Sequence, residues 1–434
     1  MRVQLQVGRD GLEITLPDDR PVRILDYKPP EALSSSASQA ALQALLANPT
    51  GTPALPEIIQ GRQSACIVIC DITRPVPNAL ILEPLLEALH AEGMPADKVT
   101  ILVATGLHRA SRPDEIIEMV GEEIAANYQI INHDARDKDS LMYLGKSPRE
   151  VPIWVNRRYL EADMKITVGL IEPHFMAGFS GGRKLICPGI CGVDTIRAWH
   201  SPRFLEHALA ITGQLDGNPV HEENSWIAER VGCDFIVNVV VDVMHRPLKF
   251  VAGDQQHAFT EGAAFCSKVV SDQVDQEFDI VITSGAGYPL DTTFYQSIKG
   301  MDAARPVVRT GGTIILAAGM SEGIGSPEFR SLFEDFSGTD AFMKAISDPD
   351  FFVPDQWQLE MLARVLRKAE VQVVTDGLSP DTVESLWVRS SPSVESALEF
   401  ALQKYGEDAS IAVMPGGPYV MPVVTDVDSE VISG

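Results

Sequence analysis

A bilayer-spanning helix needs about 20 consecutive apolar residues, and no stretch of this 434-residue sequence supplies them. Positive charge is scarce as well: 35 Lys and Arg stand against 60 Asp and Glu, a formal net charge of −25. A field of that sign repels phosphate backbones and anionic lipid, so neither nucleic acid nor membrane is an expected partner. A small anionic ligand would need a local basic pocket inside an acidic protein. Low-complexity segments and short-period repeats are absent. The opening segment "MRVQLQVGRDGLEITLPDD" lacks the apolar core of an export signal and alternates apolar and polar residues around a Gly-containing turn. It reads as a β-hairpin, and the expected location is the cytoplasm.

Cysteine is sparse, at six residues, and none of the six forms a C-x-x-C pair. Reduced thiols are therefore expected rather than a disulfide frame. Cys66 and Cys70 lie four apart in "SACIVIC", a strand pattern in which both share one face, so packing accounts for them. Cys187 and Cys191 flank a Pro-Gly loop and stand as possible metal ligands. Common nucleotide signatures are missing too. Counted from Gly178, the phosphate-loop motif G-x-x-x-x-G-K-[ST] requires Gly at 183 and Ser or Thr at 185, where this chain has Arg183 and Leu185. The G-x-G at Gly285–Gly287 meets Leu290 where a dinucleotide fingerprint has its third glycine. The zinc motif H-E-x-x-H does not occur.

What is present is a βαβ rhythm. "SACIVICDIT", "KVTILVATG" and "ADMKITVGLI" are continuous apolar runs, the pattern of strands buried on both faces. Helical spacing appears in Glu31–Asn48, "NALILEPLLEALHAEG" and "RPDEIIEMVGEEIAANY". The rhythm restarts near residue 275 with "FDIVITSGAG", "GGTIILAAG", "EVQVVTDG" and "SIAVMPGG", after a linking helical stretch "AFTEGAAFCSKVV". The expected fold is α/β, with two α/β domains, mainly parallel sheets and a cofactor and substrate cleft between them. Residues 1–268 are expected to form an N-terminal cofactor-binding domain, and 269–434 a C-terminal Rossmann-like domain closing the cleft.

Ligands collect at the carboxyl ends of strands in open α/β sheets, which directs attention to four loops. "DITRP" places Asp71 and Arg74 after a strand; Arg suits bidentate recognition of carboxylate or phosphate, while an Asp–Arg pair closing the turn is the ordinary alternative. "ATGLHR" delivers His108 to the end of the next strand, and "EPHFMAGFSGGRK" delivers His174 to the end of a third. Two imidazoles facing one pocket would make an acid–base pair near neutral pH. The glycine-rich loop could cradle a phosphate by exposed backbone N–H groups. His200 in "TIRAWHSPRFLEH" is a competent metal ligand, though one His is a poor site by itself. "YPLDTTFYQSIKG" opens a helix carrying Tyr295, Gln296 and Lys299, whose ordinary reading is a solvated face.

Taken together, "DITRP", "TGLHR", "EPHFMAGFSGGRKLICPGICG", "AWHSPRFLEH" with "GNPVHEE", and "YQSIKG" resemble the nickel-dependent lactate racemase family of 2-hydroxyacid racemases and epimerases. The resemblance implies a nickel-pincer nucleotide (pyridinium-3,5-bisthiocarboxylic acid mononucleotide nickel) as cofactor, gripping nickel through two sulfurs and a ring carbon. It implies that Lys184 joins one cofactor arm as a thioamide and that His200 completes the nickel coordination. Asp71, Thr73, Gly178, Ser180, Gly181 and Gly182 fall in the cofactor-binding positions, with Asp71 expected to orient Arg74 or the cofactor ribose. His108 and His174 would exchange the hydroxyl proton while hydride moves to and from the cofactor through a 2-keto acid. Arg74 and Lys299 would hold the substrate carboxylate, with Tyr295 and Gln296 shaping its pocket. The implied partners are a small 2-hydroxy acid, lactate or a relative, and the cofactor-biosynthesis enzymes that load the protein. The competing readings are an NAD-type 2-hydroxyacid oxidoreductase, which a full dinucleotide fingerprint would favour, and a non-catalytic nucleotide- or metal-binding protein.

Overall fold

The computed structural model describes residues 1–348 and 351–425. The chain divides into two compact units, one of residues 29–269 and one of residues 1–28 with 270–434.

In the 29–269 unit, the three long apolar runs become Ala65–Cys70, Val99–Ala104 and Met164–Leu170. All six residues of Ala65–Cys70 are buried, and a parallel strand flanks it on each side. The six-stranded sheet runs Pro247–Gly253, Phe235–Val241, Met164–Leu170, Ala65–Cys70, Val99–Ala104, Gln129–Asn132. Every neighbouring pair is parallel except the first, an antiparallel edge hairpin. The first expected helix starts late, at Ser35–Ala47, because the Ser34 hydroxyl caps it by accepting the Ala37 amide at 3.2 Å. "RPDEIIEMVGEEIAANY" is two helices rather than one. Gly121, at φ 83°, separates Pro113–Val120 from Glu122–Asn127.

The second unit holds another six-stranded sheet, ordered Arg389–Ser390, Ala369–Val374, Val308–Ala317, Phe278–Ser284, Ile411–Met414, Val22–Ile24, and parallel throughout. Its last strand corrects the expected domain limits, since residues 1–28 belong here and not with the N-terminal unit. The reason is burial. The hairpin strands Arg2–Leu5 and Leu12–Thr15 turn Leu5 and Ile14 inward against Ile280, Ile282, Ala397 and Val413. Val22–Ile24 then adds to the sheet edge beside Ile411–Met414. No helix among the described residues is long and apolar enough to cross a membrane.

Candidate functional site

Ala65–Cys70 is where the sheet of the 29–269 unit changes winding direction. The chain proceeds to Val99–Ala104 on one side and later returns to Met164–Leu170 on the other. Such a switch point opens a crevice beyond the carboxyl ends of the strands. The loops leaving these three strands carry Asp71–Arg74, His108, and His174 with the glycine loop.

Asp71 is buried, and both of its oxygens are occupied. Oδ1 accepts the Thr73 amide at 3.2 Å and the Thr73 hydroxyl at 2.6 Å, while Oδ2 lies 2.7 Å from His108 Nδ1. Burial alone would raise its pKa. The hydrogen bonds from His108 and Thr73 and the Arg74 charge outweigh it and hold the carboxyl below its usual range. Asp71 thus meets His108, where the expectation was that it orients Arg74 or the cofactor ribose. The Arg74 guanidinium is ion-paired with Glu172, which leaves Met164–Leu170 on the neighbouring strand. Arg109, beside His108, is spent on a bidentate pair with Glu115, at 2.6 and 2.8 Å.

His174 sits in the two-residue strand Pro173–His174, paired antiparallel with Gly178–Phe179, so His174 lies opposite Gly178. Its ring stacks on Phe175 at 5.0 Å, and its Nδ1 accepts the Met176 amide at 3.4 Å. Gly178 is required at its place: φ is 75°, and a Cβ would lie 2.3 Å from the Gln214 carbonyl oxygen. The glycine loop then turns inward. The Ser180 hydroxyl donates to the Leu170 carbonyl at 2.8 Å and accepts the Glu172 amide at 3.1 Å. The Ser180 amide donates to Glu172 O, the Gly182 amide to Asn238 Oδ1 at 2.7 Å, and the Lys184 amide to Gly181 O. Those three amides are committed within the protein, which corrects the expectation of a cradle of exposed N–H groups over this stretch.

The turn of Gly182–Leu185 carries two basic residues in different surroundings. The Arg183 guanidinium is buried, stacks 4.4 Å over Phe259 and donates to the Ala177 carbonyl at 2.7 Å. Burial lowers its pKa to about 9. Lys184 is half-buried as a residue, but its amine end is withdrawn from water, 5.5 Å above the Trp199 ring. That desolvation, then the Arg183 and Arg74 charges, lowers its pKa well below the usual lysine value. Surroundings of this kind disfavour the charged form of the amine.

His200 closes the helix Val193–Trp199 and stacks on Trp199 at 3.6 Å. Its Nδ1–H donates to the Ile196 carbonyl at 2.9 Å, which fixes the tautomer and puts the ring lone pair on Nε2. Burial first, and the Lys184 charge after it, bring the imidazole pKa down to about 3, against the Ile196 carbonyl. Neutral imidazole with a fixed tautomer is the form that ligates metals.

Residues 7–213 match the lactate racemase N-terminal domain and residues 273–422 the lactate racemase C-terminal domain. A lactate racemase of Thermoanaerobacterium thermosaccharolyticum is 35% identical over 421 residues, 96% of this chain and 98% of that protein. The chain belongs to the lactate racemase family. A second member, from Lactiplantibacillus plantarum, is 36% identical over 383 residues, covering 88% of this chain and 90% of its own. The solved lactate racemase apoprotein of T. thermosaccharolyticum superimposes with a TM-score of 0.92 at 34% identity, over 98% of this chain and all of that one. A Thermotoga maritima protein shares the fold alone, with a TM-score of 0.68 at 18% identity over 92% of this chain and all of its own. The protein is an enzyme of the racemase class.

Among the described residues, no three His, Cys, Asp or Glu side chains gather to hold a metal ion. Cys187 and Cys191 are fully buried, their thiols donating to Asn224 Oδ1 and the Ile186 carbonyl. In this lactate racemase family member, His200 thus offers one neutral imidazole and Lys184 one desolvated amine. That donor set fits a metal that arrives with its own organic ligands and fits no ion held by protein alone.

In the other unit, Tyr295, Gln296 and Lys299 lie on the helix Phe294–Ala304, which Thr293 caps. The Tyr295 hydroxyl accepts the Trp357 indole N–H at 3.1 Å, and burial pushes its pKa up. Gln296 Oε1 is buried without a hydrogen-bond partner. Sequence reasoning passed over two residues that matter to the geometry. Glu172 sat in plain view two residues before His174. Asn238 is a polar break within the apolar run "FIVNVVV", and a polar residue at a strand centre was the available signal.

Proposed function

We propose that this chain is a nickel-pincer-nucleotide-dependent racemase of a small 2-hydroxy acid, with lactate, the substrate named for its relatives, as the first candidate. The observation that carries the reading is the pair formed by Lys184 and His200. A desolvated amine and a tautomer-locked imidazole both lie against Trp199, with no protein metal cluster among the described residues. Lys184 would anchor the cofactor covalently through its desolvated amine, and His200 would give the one protein ligand to nickel. When bound, the cofactor supplies an acceptor for the hydride at C2.

The remaining steps belong to this chain's own side chains. Removing an α-proton would build a carbanion beside a carboxylate, whereas proton loss from the hydroxyl coupled to hydride loss from carbon leaves a neutral ketone. His108 and His174 would exchange that hydroxyl proton, one serving each enantiomer. Arg74 would take the substrate carboxylate, for which its guanidinium is suited; it is ion-paired with Glu172 here. Family resemblance assigns Lys299, Tyr295 and Gln296 to the substrate as well. It assigns Thr73, Gly178, Ser180, Gly181 and Gly182 to the cofactor, where Ser180 and Gly182 would act by shaping the loop. Cofactor-biosynthesis enzymes are the implied loading partners, and the cytoplasm the implied location.

The test is to produce the protein with the cofactor-biosynthesis enzymes, then incubate it with single-enantiomer lactate and resolve the product by chiral chromatography. Racemisation with a mass increment on the Lys184 peptide is expected, and Lys184→Ala should lose both. Racemisation by protein whose Lys184 is unmodified would overturn the anchoring role. Full activity in metal-stripped protein would overturn the whole reading.

A further inference from the structure

His108 is the most exposed of the residues assigned to proton transfer, with 62% of its side chain accessible, and it lies on a loop. Left alone, such an imidazole would sample several rotamers and both neutral tautomers. Two features prevent this. The His108 amide donates to the Thr105 carbonyl at 2.8 Å, which fixes the backbone. The ring is held at Nδ1, 2.7 Å from Asp71 Oδ2.

We propose that Asp71, itself locked by Thr73, is a positioning residue that sets His108 as the base for the hydroxyl proton, rather than a residue that holds the cofactor. This rests on the racemase reading above and refines its proton-transfer step. An ionised carboxylate only accepts hydrogen bonds, so its ring partner must donate. His108 therefore carries its proton on Nδ1 and presents the Nε2 lone pair outward. The Asp71 oxygens cannot exchange roles, because Oδ1 receives both the amide and the hydroxyl of Thr73. The depressed pKa of Asp71 keeps this arrangement in its ionised form.

Proton and electron bookkeeping follows from that orientation. The substrate O–H bond breaks and a bond from hydrogen to His108 Nε2 forms. The O–H electron pair becomes the second C–O bond as the C–H pair departs as hydride, for which the bound cofactor would supply the acceptor. The imidazolium then faces Asp71, which stabilises the charge without taking the proton. This is the division of labour found in hydrolytic Ser-His-Asp triads. Asp71 extends from the buried strand Ala65–Cys70, so it carries the rigidity of the sheet to an exposed loop.

The test uses Asp71→Asn in the loaded enzyme. With Oδ1 still accepting from Thr73, the amide Nδ2 replaces Oδ2, donates to His108 Nδ1 and forces the proton onto Nε2. In a serine protease the equivalent change lowers kcat about 10⁴-fold, and a loss of roughly 10²–10⁴-fold in kcat is expected here, with KM little changed and the Lys184 adduct present. Histidine 15N NMR, with the His108 signals assigned by His108→Gln, should show protonated Nδ1 in the wild type and protonated Nε2 in Asp71→Asn. Thr73→Val should lower kcat in the same direction by a smaller factor, and Thr73→Ser should restore it. Loss of the Lys184 adduct in Asp71→Asn would place Asp71 with the cofactor and overturn the proposal, as would unchanged kcat or an unchanged nitrogen pattern. A wild type that racemises no 2-hydroxy acid would sink the functional reading instead. The nitrogen signals, readable without substrate, would then decide the tautomer claim alone.

Discussion

Asn238 lies in the middle of the strand Phe235–Val241, fully buried, and its side-chain oxygen accepts the Gly182 amide at 2.7 Å while Nδ2 donates to the Val237 carbonyl at 2.8 Å. Asn238→Leu keeps the size and burial of the side chain and removes its acceptor. The Gly182 N–H is then stranded where water does not reach, at a cost of about 1–3 kcal/mol. The branched end of leucine also has little room. A Cβ built on Gly181 would stand 2.9 Å from Asn238 Oδ1, and one on Gly169 3.3 Å from Nδ2. Crowding of this kind adds roughly 1 kcal/mol or more, so the sum is about 2–4 kcal/mol. For a unit of this size each kcal/mol moves Tm by about 2–4 °C, so a fall of roughly 5–15 °C is expected by calorimetry. The exposed amide of Asn127, which donates only to the Glu123 carbonyl, is the control; Asn127→Ala should change stability by no more than about 0.5 kcal/mol. Loosening of the glycine loop should also lower the yield of Lys184 adduct in loaded protein. A melting temperature for Asn238→Leu equal to that of the wild type would refute the claim that this amide holds the loop.

Three further outcomes are expected. Arg74→Lys cannot reproduce a bidentate grip on a carboxylate, so KM should rise about tenfold, equivalent to about 1.4 kcal/mol, with a smaller effect on kcat; an unchanged KM would remove Arg74 from substrate binding. His221 is depressed from 6.5 to about 3, by burial first and the Arg183 charge second, so the unfolded chain binds more protons between those values and stability falls as pH drops through that window. At pH 5 the loss from this group is at most about 2 kcal/mol, and urea unfolding should show His221→Phe losing that much less than the wild type between pH 7 and pH 5; parallel pH profiles would contradict it. Gly178→Ala must place a side chain at φ 75° and 2.3 Å from a carbonyl oxygen. It should cost at least about 2 kcal/mol and reduce Lys184 adduct formation, and normal melting would show that the loop bends more easily than its contacts imply.

Much of the architecture was legible because strands buried on both faces must be apolar at every position. That made "SACIVICDIT" and "FDIVITSGAG" readable as Ala65–Cys70 and Phe278–Ser284. The destination of the N-terminal hairpin was not legible. Val22–Ile24 pairs with Ile411–Met414, and nothing local to either segment encodes that meeting. Gly121 was visible, but a glycine inside a helical pattern costs only about 1 kcal/mol relative to alanine, so it did not by itself announce the break it makes. At the site, the loops singled out in the sequence do leave adjacent strands, while pairing within them did not follow from proximity. Asp71 is three residues from Arg74 yet serves His108, thirty-seven residues away. Arg74 turns to Glu172 across two adjacent strands. Local spacing favours i to i+3 partners, and here the parallel sheet brought distant loop ends closer than the turn brought near ones.

The failed phosphate-loop match of "AGFSGGRK" has the same physical origin. A phosphate nest needs several successive amides aimed outward, yet the amides of Ser180, Gly182 and Lys184 point to Glu172, Asn238 and Gly181 within the protein. The glycines serve close packing: Gly178 against Gln214, and Gly181 against Ile171, Asn238 and Leu170. With these three amides spent inward, the side chains of the loop become its main offering. Arg183 is drawn under the loop, onto Phe259, and Lys184 is carried to Trp199. The buried Arg183 guanidinium then stands next to the Lys184 amine and, after desolvation, disfavours its protonation. The consequence is a lysine amine drawn away from water, and the run of glycines around it is the means by which so apolar a setting can be built at a strand end.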